Sequence, residues 1–189
     1  RLEYKKMTGL IIQSGKISGV VVSGGEIFRS DNVILATGHS ARDVYELMAK
    51  YDNMLEFKPF AMGVRVEHPQ ELIDRIQYHG KPRGQYLPAA SYSLVKQVDT
   101  RGVYSFCMCP GGFIVPSATA HEEVVVNGMS PSHRNSPFAN SGIVVEIREE
   151  DLTDFRRYGI LAGLEYQKYL EHLAWENGGK TQTAPAQRL

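Results

Sequence analysis

Short apolar runs alternate with turn residues through the first 30 residues of the chain. The runs occupy residues 10–13, 17–23 and 26–29, with Ser14-Gly15-Lys16 and Gly24-Gly25 between them. Runs of this length, rich in β-branched residues and bounded by glycine, predict a small antiparallel β-meander.

The next run, residues 32–36, differs because Val33 and the three residues after it are all apolar. A strand that is apolar on both faces is typical of a parallel strand buried between two layers. The run ends in Thr37-Gly38, and Ser40, with Asp43 three residues later, is placed to cap a following helix. That helix has one apolar face, formed by Val44, Leu47, Met48 and Tyr51.

A second set of elements follows Lys58-Pro59. We predict strands over residues 60–67, 103–109, 113–115, 123–127 and 143–147, helices over residues 69–79 and 152–176, and irregular structure over residues 81–102. The pattern indicates an α+β fold with a boundary near residue 57. It gives two domains, residues 1–57 and residues 58–189.

Composition narrows the classes of partner. The 189 residues are 42% hydrophobic, which is enough for a packed core, and 21 Lys and Arg balance 21 Asp and Glu. Without a basic excess, nucleic acid and anionic membrane surfaces are not expected as partners. The longest apolar runs are far shorter than the roughly 20 residues of a membrane-spanning helix, so we expect a soluble protein.

The two cysteines, Cys107 and Cys109, are too close for an unstrained disulfide in an extended strand. This favours a reducing, cytoplasmic location. The chain begins in mid-pattern at Arg1, with neither an initiating Met nor a charged and apolar leader. We therefore expect it to be an internal fragment of a longer protein.

The segment "VILATG", with the meander before it and the helix after it, resembles part of the FAD-dependent oxidoreductases of the two-dinucleotide-binding-domain type. The stretches "PFAMGVRVEHPQELID", "YSFCMCPGGFIVPSATAHEEVVVNGMS", "ANSGIVVEI" and "TAPAQ" are similar to a bacterial family of FAD-dependent dehydrogenases. The resemblance implies an FAD-binding domain interrupted by a substrate-side domain, FAD as the cofactor and a small-molecule substrate. It places Ala36, Thr37 and Gly38 beside the flavin.

One part of such a flavin site is missing from the sequence. A Gly-x-Gly-x-x-Gly turn lets backbone amides approach the pyrophosphate, and this chain contains no such triplet. The resemblance implies that the turn lies before Arg1 and that a second glycine-rich segment lies beyond Leu189. We therefore expect the chain alone to bind FAD weakly or not at all.

Cys107 and Cys109 alternate with larger apolar residues, which would place both thiols on one face of a strand. Three roles remain open for them: buried reduced thiols, the wall of a substrate or flavin pocket, and a zinc site. The zinc site would use His121 and His133, whose spacing matches no common zinc motif. We expect no metal.

Residues 128–142 are rich in small and polar residues, and Arg134, Asn140 and Ser141 among them are candidates for contact with a substrate. The same composition is typical of an ordinary surface loop. Arg65 and His68 flank a strand end and could bind an anion, but a solvated charge and a helix cap explain them as well. No residue stands out as a catalytic base.

Two other hypotheses remain open. The chain could be a non-enzymatic ligand-binding or interaction module that presents residues 130–140, or a relative of RNA-modifying flavoproteins, which the neutral charge disfavours. Exposure of residues 33–38 discriminates the module from the flavin hypothesis. A self-contained module would cover these residues, whereas one edge of a flavin-binding domain would leave them uncovered.

Overall fold

The computed structural model describes residues 4–38, 40–51 and 54–188. The chain divides into two compact units, residues 1–56 and residues 57–189. Among the described residues, no helix combines the length and the apolar character that crossing a membrane requires. The assignment of the units to an FAD-binding and a substrate-side domain stays a prediction.

An antiparallel meander forms the first unit, as the sequence predicts. Its strands are β1 (Met7–Gln13), β2 (Lys16–Val22) and β3 (Ile27–Arg29), in that order across the sheet. Helix α1 (Arg42–Met48) follows, with Ala41 rather than the predicted Ser40 at its N-cap. Beyond the helix, the Tyr51 hydroxyl accepts a hydrogen bond from Leu10 N (2.6 Å) and donates one to Leu10 O (3.2 Å). These bonds tie the end of the helix to β1.

The strand predicted over residues 32–36 is absent. These residues have no regular secondary structure, and no described strand pairs with them. Val33, Ile34 and Leu35 are 38%, 92% and 49% exposed. A buried strand requires a neighbour for its backbone N–H and C=O groups and cover for its apolar side chains. The described residues of this chain supply neither, so the apolar run stays outside the sheet.

The second unit is built on a four-stranded antiparallel sheet with the order β4-β9-β6-β5. The strands of that sheet are β4 (Phe60–Pro69), β5 (Val95–Val98), β6 (Arg101–Cys109) and β9 (Phe138–Ile147), and the unit has two more strands, β7 (Phe113–Ser117) and β8 (Val125–Met129). Strands β7 and β8 pair with each other in a separate two-stranded sheet. Helices α2 (Gln70–Gln77) and α3 (Ala162–Asn177) complete the unit. The α+β fold class is confirmed.

Two segments of the second unit differ from the prediction. Strand β5 falls within residues 81–102, where irregular structure is predicted. All four of its residues are exposed, so it lacks the alternation of buried and exposed residues by which a strand is predicted. Residues Glu149–Leu161 form 3₁₀ turns instead of the start of a long α-helix. Gly159 has φ 56° and ψ −129°, outside the helical region, and α3 therefore begins only at Ala162.

Two apolar clusters pack on one face of the four-stranded sheet. The buried members are Ile147, Leu152 and Ala162 in one cluster and Ile73, Ala90 and Ala139 in the other. Ile147 and Ala139 are eight residues apart in β9, and an even separation in a strand puts side chains on the same face. We call this face, which packs against α2 and α3, the helix-side face.

The opposite face, which we call the open face, carries Arg65 in β4, Gly142 and Asn140 in β9, and Tyr104 and Phe106 in β6. The register pairs Arg65 with Gly142 and Gly142 with Phe106, so these residues share that face. Phe106 is 57% exposed and Tyr104 is 38% exposed. The open face therefore presents apolar side chains beside a buried polar group.

Candidate functional site

A β-bulge interrupts β6 at the two cysteines. The pairing of β6 with β9 shifts register between Phe106 and Cys109, and Cys107 has φ 49°, in the left-handed region. Such a bulge breaks the alternation of side chains that an unbroken strand would have. Cys107 is exposed and Cys109 is partly buried. The prediction that both thiols lie on one face of an unbroken strand is therefore wrong.

Arg65 reaches from β4 across β9 to this bulge. It lies opposite Gly142, which has no side chain to block the path. Its Nη1 donates to Asn140 Oδ1 (2.6 Å) and to Cys107 O (3.1 Å), and it lies 3.9 Å from Cys109 Sγ. Arg65 forms no ion pair with a carboxylate of the described residues, so neutral acceptors alone hold its charge.

Asn140 is 0% exposed, and Arg65 fixes the orientation of its amide. Because Oδ1 accepts from the guanidinium, Nδ2 must find another acceptor, and it has none among the described residues. A buried polar group without a partner costs about 1–3 kcal/mol. A Cβ at Gly128 would collide with Arg65 Nη1 and Asn140 Oδ1. A side chain at this position would therefore have to displace both of these groups. We call Arg65, Cys109, Gly128 and Asn140 the Arg65 cluster.

Buried polar groups hold the turn that follows Cys109. The Gln70 side chain accepts from Gly111 N (2.7 Å) through Oε1 and donates to Asp74 Oδ1 (2.8 Å) through Nε2. Gly111 has φ 53°, and a Cβ there would collide with the Arg134 carbonyl. Arg134 thus approaches the turn through its backbone, while its exposed side chain makes no hydrogen bond to the described residues of the Arg65 cluster. Its contact with a substrate stays a prediction.

Ser141 follows Asn140 in β9 and therefore lies on the helix-side face. It is 0% exposed, and its hydroxyl donates to Phe106 O (3.3 Å). On that face Tyr92 Oη is 2.6 Å from His68 Nε2. Burial lowers the pKa of His68 and raises the pKa of Tyr92 from their ordinary values. Both side chains are therefore neutral at pH 7.

Ala36, Thr37 and Gly38 lie in the first unit, directly after the uncovered apolar run. All three are exposed, and Gly38 has φ 77°, with open space where a side chain would stand. A ligand could approach the backbone closely here. Exposure of this segment is the arrangement expected of the edge of a larger site, and a self-contained module would not leave it uncovered.

Comparison with known proteins assigns the chain to a family. A family model described as "FAD-dependent protein, C-terminal domain-like" matches residues 59–189. The chain belongs to this family. An uncharacterized protein of Clostridium beijerinckii is 42% identical over 184 residues, which cover 96% of this chain and 34% of that relative. The chain therefore spans about a third of the length of the curated relative it matches.

The matched residues of this FAD-dependent family include the whole Arg65 cluster and the pair formed by His68 and Tyr92. Ala36, Thr37 and Gly38 lie before the matched region. Their contact with FAD is thus supported by the resemblance of their own segment, whereas the Arg65 cluster belongs to the part of the chain that defines the family match.

Within the part of the chain that the structure describes, no group of three or more His, Cys, Asp or Glu could hold a metal ion. The side chain of His121, one of the two histidines considered for a zinc site, is 93% exposed.

Sequence reasoning did not identify Gln70, Tyr92 or Gly128 as parts of the site. Tyr92 and His68 are 24 residues apart, and nothing local in either segment indicates that they meet. Gly128 offered one usable signal, because a glycine inside an apolar strand often marks a close approach of other atoms.

Proposed function

We propose that this chain forms part of a longer FAD-dependent oxidoreductase of the dehydrogenase type. Residues 1–57 belong to the FAD-binding domain, and residues 58–189 form the substrate-side domain, which faces a small-molecule substrate. The family match supports the connection with FAD. The further assignment to an oxidoreductase rests on the resemblance of the "VILATG" and "CMCPGG" segments.

The observation that carries the proposal is the exposure of the apolar run before Thr37-Gly38. Ile34 is 92% exposed, although its sequence surroundings are those of a doubly buried strand. Burying an aliphatic side chain of this size stabilises a protein by about 1.5–3 kcal/mol. A larger sheet that takes up residues 33–36 would gain this energy and bring Ala36, Thr37 and Gly38 to its carboxyl edge, where cofactors bind in such folds.

The residues of this chain fit one edge of an FAD site and not the whole of it. Gly38 leaves room for close approach, but the sequence has no Gly-x-Gly-x-x-Gly turn for the pyrophosphate. FAD, when bound, supplies the redox chemistry. The contribution of this chain would be to position the substrate and to exclude water.

The test is a titration with FAD, followed by flavin fluorescence, on two proteins in parallel. One is the 189-residue chain, and the other is the full-length relative from Clostridium beijerinckii. We expect the relative to bind FAD and the chain to bind at least about 100-fold more weakly, a difference of about 2.7 kcal/mol.

The other outcomes separate the parts of the proposal. Absence of FAD binding by both proteins would overturn the flavoprotein assignment and favour a ligand-binding module. Equally tight binding by both would show that the site is complete within this chain. If the relative binds as expected, screening of substrates by bleaching of flavin absorbance tests the oxidoreductase assignment.

A further inference from the structure

Arg65 is anchored in a way that leaves half of its guanidinium group unused. Every protein acceptor that it contacts in the described residues is reached through Nη1. Arginine carries five N–H donors, and the Nε and Nη2 atoms together present a planar edge that matches the two oxygens of a carboxylate. The anchored Nη1 fixes the side chain, so this second edge is held ready for a ligand.

A second, independent observation points to the same place. Asn140 Nδ2 is fully buried and has no partner among the described residues, although the Oδ1 atom of the same amide is bonded to Arg65. Buried donors are nearly always paired in native proteins. An unpaired donor beside a cation that forms no ion pair with a described carboxylate indicates that an acceptor with negative charge belongs there.

The surroundings of Arg65 indicate what kind of anion fits. Phe106 shares the open face with Arg65 and is 57% exposed, and it directly precedes Cys107, whose carbonyl oxygen is 3.1 Å from Arg65 Nη1. Gly142, between Arg65 and Phe106 in the register, places no side chain in the way. An apolar, flat group could therefore lie against Phe106 while its charged end meets Arg65.

We propose that the Arg65 cluster is a binding site for a small organic carboxylate with a planar apolar body. The Nε and Nη2 edge of Arg65 binds the carboxylate, Asn140 orients that edge through the bond between its Oδ1 and Arg65 Nη1, and Phe106 contacts the apolar part. A single cation matches a monoanion better than a dianion, since Glu67 lies two residues from Arg65 on the same face of β4. The site does not depend on bound FAD, because Arg65, Asn140 and Phe106 all belong to this chain and none of the three is a predicted FAD contact.

The test uses benzoate as the probe and the full 189-residue chain without flavin. Titration is followed by the two-dimensional ¹H–¹⁵N NMR spectrum, with the Arg65 side-chain Nε–H and the Phe106 and Gly142 amides as reporters. Benzamide, which has the same shape without the charge, and sulfate, an anion without the apolar body, are titrated in parallel. We expect benzoate to bind with Kd of about 1 mM and both analogues at least about 10-fold more weakly.

Single substitutions test whether benzoate binds at the Arg65 cluster, and a control substitution separates loss of binding from loss of folding. Arg65→Gln should weaken benzoate binding at least about 10-fold, whereas Arg156→Gln, at an exposed arginine of the same unit, should leave it within about twofold. Asn140→Asp keeps an acceptor for Nη1 and places a carboxylate beside the guanidinium, so it should also lower affinity about 10-fold or more without removing the anchor.

Three results would overturn the proposal. The first is equal affinity for benzoate and benzamide. The second is a set of chemical-shift changes confined to residues away from the open face. The third is an affinity for benzoate that neither Arg65→Gln nor Asn140→Asp changes. Sulfate binding as tight as benzoate would replace the carboxylate assignment with a general anion site. Because no flavin is present, each of these results stands apart from the outcome of the FAD titration.

Discussion

In the first unit, the apolar run at residues 33–35 is left exposed, whereas in the second unit Arg65, Cys109 and Asn140, which lie far apart in the sequence, are in contact. The difference is whether the strands that must pair with each segment belong to the described residues of this chain. β4, β6 and β9 are all present in this chain and pair in one sheet, which brings their side chains together. No described strand pairs with residues 32–36. A local pattern produces structure only when its partners are present.

The largest expected effect concerns the packing of the Arg65 cluster. Gly128→Val should destabilise the second unit by about 3 kcal/mol, because its Cβ would collide with Arg65 and Asn140 and overpacked sites relax only partly. Gly102→Val in β6 is the matched control, since nothing lies within 4 Å of a Cβ there. Its effect should stay below about 1 kcal/mol in urea unfolding. If Gly128→Val left the free energy of unfolding unchanged, the contacts around Gly128 would be loose in solution.

Replacement of Arg65 should lower the free energy of unfolding by about as much as the loss of one buried hydrogen bond to a charged group. Arg65→Met keeps the length of the side chain but leaves Asn140 Oδ1 buried without a donor, which costs about 1–3 kcal/mol. Arg156→Met, at an exposed position, should change the free energy of unfolding by less than about 0.5 kcal/mol. Equal effects of the two substitutions would contradict the anchoring of Arg65 to Asn140.

Replacement of His68 should have a smaller effect on the free energy of unfolding, and this effect depends on pH. Burial lowers the pKa of His68 by more than the nearby charge of Glu67 raises it. As the pH falls through about 6.5, His68 is therefore protonated in the unfolded chain before it is protonated in the folded chain. The contribution of His68 to stability is therefore complete above about pH 6.5 and declines below it. His68→Gln should reduce the loss of stability between about pH 7.5 and about pH 5.5, measured by urea unfolding.

His121 provides the control for that measurement. Its side chain is 93% exposed, so His121→Gln should change the free energy of unfolding at about pH 7.5 by less than about 0.5 kcal/mol. An NMR titration of the His68 ring resonances checks the cause directly, because burial should make His68 titrate at a lower pH than a free histidine. If His68 titrates at or above about pH 6.5, burial is not the dominant influence on it.

The elements could be predicted from the sequence more fully than the site. Alternating apolar runs and glycine turns gave the meander, β4 and β9, because these features act within a few residues. The bulge at Cys107 and the path of Arg65 across Gly142 depend on the register of three strands, which no local pattern records. Asn140 and Ser141 were both candidates, but their separation to opposite faces became visible only once β9 was known to extend through them.

The smallest expected effect tests the exposed run directly. Ile34→Ser should change the free energy of unfolding of this chain by less than about 0.5 kcal/mol, because a residue that is 92% exposed loses little apolar contact. Hydrogen exchange should agree, with the amides of residues 33–36 unprotected while those of β9 exchange slowly. A loss of more than about 1 kcal/mol, or protected amides at residues 33–36, would show that this chain covers the run itself. The run would then need no strands of a longer protein to cover it, and a flavin edge at Ala36, Thr37 and Gly38 would lose its main structural support.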